Sequence, residues 1–136
     1  MPADFLDTNV ILYLLDNGKK ADRAEKLLTQ GGVISVQVLN ETLVNCVRKA
    51  GMSWREAGAF LHGIRKLCAV VDLTIEMHDV GAALGEKYRL SVYDSMIVAA
   101  ALVSGCTRLW SEDMHDGLIV ERSLEIRNPF SKTIEV

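Results

Sequence analysis

Short apolar runs alternate with longer amphipathic segments along this sequence. The short runs have the length of buried strands, and the longer segments repeat apolar residues every three or four positions, as helices do. The pattern predicts four or five strands, at residues 3–6, 33–36, 69–71 and 107–110, with 124–126 as the fifth. It predicts helices at residues 10–15, 20–30, 38–50 and 74–88, one after Ser53 and one from Ser91 to about residue 103.

Serine and glycine mark the ends of several predicted helices. Ser53 and Ser91 stand at N-termini, where a hydroxyl accepts a hydrogen bond from a free backbone N–H. Gly51 and Gly105 follow C-termini, where glycine adopts the left-handed conformation at little cost. Residues 96–103 are almost uniformly apolar, so this last helix is expected to be buried on most sides.

Strands that alternate with helices predict an α/β domain with a central parallel sheet and helices on both faces. Because the crossover helices run antiparallel to the strands, every helix N-terminus lies at the edge where the strands end. Side chains distant in sequence can therefore meet at this edge, which is where open α/β sheets bind ligands.

The composition fits one globular domain spanning residues 1–136. The hydrophobic share is 49% and the charged share 24%, and no repeat or linker divides the chain. Charges interrupt every apolar run well before the roughly 18 residues of a membrane span, and no signal-peptide pattern is present. Cys46, Cys68 and Cys106 form no C-x-x-C pair, so we expect buried, reduced thiols and a cytoplasmic protein without a membrane partner.

The formal net charge is -3 and the isoelectric point is about 5.6. These values argue against a protein that holds nucleic acid by bulk positive charge. A nuclease that works through metal ions remains compatible with them, because the ions supply positive charge locally.

Four carboxylates are predicted at the carboxyl edge of the sheet. Asp7 follows the first strand, and Glu41 lies in the helix after the second. Asp94 opens the buried helix, and Asp113 follows the fourth strand. Taken singly, Asp7 could be an N-cap, Asp94 part of a capping box, and Glu41 a solvated side chain. Together they would repel one another unless a divalent cation lay between them.

Magnesium or manganese suits such a set of oxygen ligands. His62, His78 and His115 are scattered and suggest no zinc site, and no glycine-rich phosphate loop indicates a nucleotide cofactor. Glu112 and Asp116 stand close to Asp113 in the sequence, and either of them could take its place.

The segments 6–9, 37–41, 90–94 and 109–113 resemble, in order, the motifs of the PIN-domain nucleases. The small size and the closing 128–130 segment, Asn-Pro-Phe, resemble the VapC toxins of type II toxin–antitoxin pairs. The resemblance implies a three-layer α/β/α sandwich with strand order 3-2-1-4-5. In that order Asp7 and Asp113 flank Asp94, with Glu41 arriving from the helix after the second strand.

The resemblance also implies a metal-dependent endoribonuclease that hydrolyses RNA phosphodiesters through a metal-activated water. The carboxylates that would bind one or two Mg²⁺ or Mn²⁺ ions are Asp7, Glu41, Asp94 and Asp113. Thr8, Asn9 and Ser111 would orient these carboxylates or contact a phosphate, or would simply cap the helix and turn the chain.

A toxin of this kind has a cognate antitoxin, whose peptide lies in an apolar groove and delivers a basic side chain to the acidic site. Trp54, Phe60, Leu12 and Leu15 could line that groove, but apolar residues at helical spacing more often face the core, where we expect them. A homodimer is also expected.

Two other functions are compatible with the sequence. A phosphoacceptor signalling domain also gathers aspartates around magnesium, but it needs an acidic pair after the first strand and a lysine after a late one, and neither is evident. A PIN-like scaffold that binds RNA or protein without cleaving it would have the same fold, although an intact acidic set speaks against it.

Overall fold

The computed structural model describes residues 3–131, in which six strands form a single sheet. The strands are β1 (Phe5–Leu6), β2 (Gly32–Ser35), β3 (Cys68–Val71), β4 (Arg108–Trp110), β5 (Ile119–Val120) and β6 (Leu124–Arg127). Their order is β3-β2-β1-β4-β6-β5, and neighbouring strands run parallel except for the antiparallel pair of β5 and β6. The predicted α/β sandwich is confirmed.

Helices connect the strands and cover the sheet. They are α1 (Thr8–Leu12), which continues as a short 3₁₀ turn (Tyr13–Leu15), α2 (Lys19–Thr29), α3 (Val36–Arg48), α4 (Trp54–Leu67), α5 (Ile75–Tyr88) and α6 (Val92–Val103). Ser35, Ser53 and Ser91 cap α3, α4 and α6 through their side chains. The helix predicted at residue 38 begins at Val36, because Ser35 ends β2 and caps the helix at once.

The predicted strand order is also confirmed, since the apolar run at 124–126 belongs to β6 and lies parallel beside β4. The sheet has one strand more than the four or five predicted. The additional strand, β5, is two residues long and therefore shows no periodicity in the sequence. It folds back onto β6 through a turn in which Glu121 and Arg122 both have positive φ.

Helix α6 lies in the core, as its apolar sequence predicts, with Ser95 and residues 97–101 buried. Its neighbour α5 approaches it closely at two glycines. A Cβ atom at Gly81 would lie 2.7 Å from Met96 Sδ, and one at Gly85 would lie 3.2 Å from Ser95 Oγ. This close packing fixes the start of α6, where Asp94 stands.

The three cysteines are buried free thiols, as expected. Within residues 3–131, no helix is both long and apolar enough to cross a membrane. The expectation that Trp54 and Leu15 pack in the core is wrong, because they are 71% and 38% exposed. As the first residue of α4, Trp54 lies outside the buried face that Ala57 and Ile64 form.

Candidate active site

Asp7 lies where β1 ends and α1 begins, and the register of the sheet sets its neighbours. Leu6 pairs with Trp110 on β4, so the next residues, Asp7 and Ser111, lie side by side. Asp7 Oδ2 accepts a hydrogen bond from Ser111 Oγ at 2.6 Å, and Oδ1 accepts one from the Thr8 backbone at 2.7 Å. Asp7 therefore caps α1 and still faces the carboxyl edge of the sheet.

The environment of Asp7 favours its protonated form. Burial raises the pKa of the Asp7 carboxyl to about 6, although the hydrogen bonds from Ser111 and Thr8 lower it. The nearby charges of Asp94 and Glu41 raise this pKa further. The carboxylates predicted to converge are thus close enough to influence one another.

Glu41 is half-buried and both of its carboxylate oxygens accept hydrogen bonds from protein groups, so the interpretation of a solvated side chain is wrong. Its Oε1 accepts a hydrogen bond from Thr8 Oγ1 at 2.7 Å, and its Oε2 accepts one from Gln37 Nε2 at 2.9 Å. Gln37 Nε2 also donates to the Tyr93 carbonyl at 2.9 Å, which connects α3 to the start of α6. Gln37 was not among the candidates, although its i, i+4 spacing from Glu41 places both on one helix face.

Asp94 lies in the first turn of α6, beyond the Ser91 cap. Burial raises the pKa of the Asp94 carboxyl, the Ser91 hydrogen bond lowers it, and the charges of Asp113 and Glu41 raise it. Asp94 is therefore close enough to both Asp113 and Glu41 for their charges to raise its pKa.

Asn9 joins the ends of β1 and β4. Its Nδ2 donates to Asp7 Oδ2 at 3.3 Å and to Asp113 Oδ2 at 3.2 Å, while its Oδ1 accepts from the Glu112 backbone at 3.2 Å. Thr8, Asn9 and Ser111 all contact the carboxylates.

Glu112 and Asp116, the two alternatives to Asp113, form ion pairs with basic residues. Glu112 Oε2 lies 2.6 Å from Lys20 Nζ, and Asp116 Oδ1 lies 3.4 Å from Arg127 Nε. Asp113 is therefore the carboxylate of this loop that lies near Asp94.

No basic side chain in residues 3–131 forms an ion pair with Asp7, Glu41, Asp94 or Asp113. The donors that contact these carboxylates are hydroxyls and amides, which leave the negative charge uncompensated. Hard divalent cations favour such a set of oxygen donors.

The carboxylates do not form a completed ligand set. Across the described residues, no group of three acidic, histidine or cysteine side chains is placed so that it could hold a metal ion as it stands. Hydrogen bonds fix Glu41 to Thr8 and Gln37, and Asp7 to Ser111, while like charges repel. The donor chemistry fits a divalent cation.

Two clefts flank the acidic residues. One of about 270 Å³ is lined by Asn9, Leu12, Tyr13, Asp16, Glu112 and Asp113. The other, of about 590 Å³, is lined by Gln37, Asn40, Glu41, Val44, Asn45, Leu73 and Tyr93. Asp113 is therefore reachable from the first cleft and Glu41 from the second.

The family model of the PIN domain matches residues 5–115 of the chain. No curated protein matches the sequence of this chain significantly. Among solved structures, a chain of a toxin–antitoxin complex from Klebsiella pneumoniae is similar, with a TM-score of 0.73 and 16% identity over 94% of this chain and 98% of that one.

Two further structures share the fold. One is DNA-bound VapBC from Salmonella typhimurium, with a TM-score of 0.72 and 18% identity over 95% of this chain and 99% of that one. The other is VapC20 of Mycobacterium tuberculosis, a toxin that cleaves the sarcin–ricin loop, with a TM-score of 0.67 and 21% identity over 82% of this chain and 90% of that one.

Proposed function

This chain belongs to the PIN-domain family, and from that premise we propose that it is a divalent-metal-dependent endoribonuclease and the toxin of a toxin–antitoxin pair. The observation that carries the proposal is the uncompensated acidic edge, where Asp7 and Asp94 both have raised pKa values and the charge of Glu41 contributes to both shifts. The structural similarity to toxins, one of which cleaves the sarcin–ricin loop, supports an RNA substrate.

In this proposal Asp7, Glu41, Asp94 and Asp113 hold Mg²⁺ or Mn²⁺. The bound cation would lower the pKa of a water molecule and stabilise negative charge on the phosphate. The protein's part is to orient the donors. Thr8 fixes Glu41, Ser111 fixes Asp7, and Asn9 spans Asp7 and Asp113.

Cation binding requires Asp7 to be ionised. Because the pKa of Asp7 is about 6 without a cation, protons compete for this carboxylate at mildly acidic pH. We therefore expect divalent binding to weaken as the pH falls through about 6.

The proposed protein partner is a cognate antitoxin, as in the similar toxin–antitoxin complexes. Leu12 and Leu15 line a cleft of about 270 Å³ together with Asp16, Asn45, Lys49 and Ala50. An apolar peptide segment could occupy this cleft, and the neighbouring acidic edge would attract a basic side chain from it.

A homodimer is also proposed, on the basis of exposed apolar side chains near the cleft of about 590 Å³ that Glu41 lines. The residues concerned are Val44, Leu73, Ile75, Val92 and Tyr93, which are between 47% and 79% exposed. Exposed apolar side chains that lie together, as Val44, Leu73 and Tyr93 do around this cleft, usually mark an interaction surface.

Cleavage of RNA by purified protein, with Mn²⁺ or with a chelator, tests the proposed activity. Asp7→Asn and Asp94→Asn should each lower the rate on the order of 100-fold, because each removes a carboxylate that would hold the divalent cation. Asp79→Asn, at an exposed position of α5, is the matched control and should cleave normally. Undiminished cleavage by both site variants would refute the assignment.

Calorimetry with Mn²⁺ separates the nuclease from a non-catalytic scaffold of the same fold. The unsubstituted protein should bind Mn²⁺, and Asp94→Asn should bind it more weakly. A protein that binds neither Mn²⁺ nor Mg²⁺ would instead favour the scaffold.

A further inference from the structure

Glu112 lies beside the acidic edge, but it belongs to a separate cluster with Lys20 and Tyr13. Lys20 Nζ donates to Glu112 Oε2 at 2.6 Å and to the Tyr13 hydroxyl at 3.1 Å. The Tyr13 hydroxyl in turn donates to Glu112 Oε1 at 2.8 Å. Lys20 compensates the charge of Glu112, whereas the carboxylates proposed as ligands form no ion pair among the described residues, so Glu112 is the poorer candidate for a metal ligand.

Two aromatic rings also contact the lysine of this cluster. Lys20 Nζ lies 4.9 Å from the centre of the Tyr13 ring and 5.4 Å from that of Phe130. The two rings meet edge to face, with centroids 4.8 Å apart. The ammonium group thus has two hydrogen-bond acceptors and two ring faces, which restrict its position more than a simple surface ion pair would.

The cluster is connected to Asp113 through the backbone. Glu112 N–H donates to Asn9 Oδ1, and the side-chain Nδ2 of Asn9 donates to Oδ2 of Asp113 and to Oδ2 of Asp7. With the Glu112 side chain held on one side, the next residue, Asp113, is directed to the other side, toward Asp94. If Glu112 were released, this loop could rotate, and either carboxylate could face the edge.

We infer that Lys20, Tyr13 and Glu112 form a positioning cluster that fixes the 111–113 loop so that Asp113 faces the acidic edge. The inference rests on the proposed function, because the benefit of a fixed Asp113 is tighter binding of the divalent cation. None of the three residues touches the cation or the substrate. They act through Asn9 and the loop backbone, in the way that groups around a metal site orient its ligands.

The chain contains a second cluster of the same three residue types, which supplies matched controls. Lys87 Nζ lies 3.1 Å from Glu121 Oε2 and 5.4 Å from the centre of the Tyr88 ring. The Tyr88 hydroxyl accepts a hydrogen bond from Glu121 N–H. This cluster is at the C-terminal end of α5, whereas the acidic edge is at the N-terminal ends of the helices.

The experiment measures Mn²⁺ affinity by calorimetry and the Mn²⁺ dependence of RNA cleavage for Tyr13→Phe, Glu112→Gln and Lys20→Ala. Each variant should bind Mn²⁺ roughly tenfold more weakly. Their cleavage rates should recover at saturating Mn²⁺, because the ligands themselves remain. Tyr88→Phe, Glu121→Gln and Lys87→Ala should match the unsubstituted protein in both measurements. Lys20→Arg should retain more affinity than Lys20→Ala, since it keeps the charge.

Three outcomes would be decisive against the inference. Cluster variants that bind Mn²⁺ as tightly as the controls would overturn it while leaving the proposed function intact. A Glu112→Gln loss equal to that of Asp113→Asn, with Tyr13→Phe unaffected, would make Glu112 a ligand and overturn it as well. If the unsubstituted protein bound no divalent cation, the proposed function would fail and the positioning role with it.

Discussion

Asp7 combines two requirements that conflict in the metal-free protein. As the cap of α1 and the partner of Ser111, it should be ionised, since both contacts stabilise a carboxylate. Its burial, with only 4% of the residue exposed, favours the neutral form and dominates, so the pKa rises to about 6. Ionising Asp7 in the metal-free protein is therefore unfavourable, and a bound cation would offset this free-energy cost.

This cost predicts that Asp7→Asn stabilises the metal-free protein at neutral pH. The pKa of Asp7 is about 6 in the folded state and 3.8 for the free side chain, so the folded state binds more protons between these values. The free energy of unfolding should therefore fall as the pH rises from about 4 to about 6. Removing the ionisable group should raise stability at pH 7.5 by about 1 to 3 kcal/mol and change little near pH 4.

Urea denaturation in the presence of a chelator, at both pH values, measures this effect. Asp79→Asn serves as the control because its side chain is exposed on α5. Saturating Mn²⁺ should reverse the ranking, since the cation favours the carboxylate. If Asp7→Asn destabilised the metal-free protein at pH 7.5, the burial cost would be smaller than the value of the two hydrogen bonds.

At the residue scale, the sequence predicts where a side chain lies when its position at the end of a strand or the start of a helix determines its place in the fold. Asp7, Glu41, Asp94 and Asp113 follow strand ends or open helices, so the topology alone brings them to one edge. The choice among Asp113, Glu112 and Asp116 was not predictable. It depends on contacts with residues distant in sequence, such as Lys20 for Glu112, which no local pattern reveals.

Helix α6 shows how one element holds part of the site. Its buried sequence is packed against α5, and the glycines of α5 permit the close approach. A Cβ at Gly85 would lie 3.2 Å from Ser95 Oγ and 3.3 Å from Ser95 Cβ. Ser95 follows Asp94 directly, so any displacement at Gly85 would reach the acidic edge.

Two glycine substitutions should therefore have different consequences. Gly58→Ala on α4, where no other element lies within 4 Å of the new Cβ, should stabilise the protein by about 0.5 to 1 kcal/mol through helix propensity. Gly85→Ala should lose that gain to crowding against Ser95. Urea denaturation of both variants checks the difference, and equal stabilisation would show that α5 and α6 separate without cost.

Element boundaries were predictable where a side chain marks them and less so elsewhere. Ser53 and Ser91 stand at the predicted caps, and Ser53 completes a capping box with Glu56. The two-residue strand β5 could not be found, because backbone hydrogen bonds rather than a periodic pattern define it. In the ladder with β6, Ile119 pairs with Glu125 and Val120 pairs with Leu124.

At the scale of the whole molecule, the surface is uneven. Exposed apolar side chains lie beside the cleft that Glu41 lines, and Ile75 among them is 79% exposed. Burying such residues contributes roughly 25 cal/mol per Å² of apolar surface. Stable protein–protein interfaces typically bury about 800 Å² on each protomer. A lysine at the centre of that interface would leave an unpaired charge buried.

We accordingly expect the purified protein to be a dimer and Ile75→Lys to be a monomer. Light scattering coupled to size exclusion should give twice the 15.0 kDa chain mass for the unsubstituted protein. Ile119→Lys is the control, because Ile119 is also an exposed apolar residue, at 49%, but belongs to the edge strand β5. The variant Ile75→Lys should still melt cooperatively, since Ile75 lies outside the core. A monomeric unsubstituted protein, or dissociation by Ile119→Lys alone, would place the contact surface elsewhere or remove it.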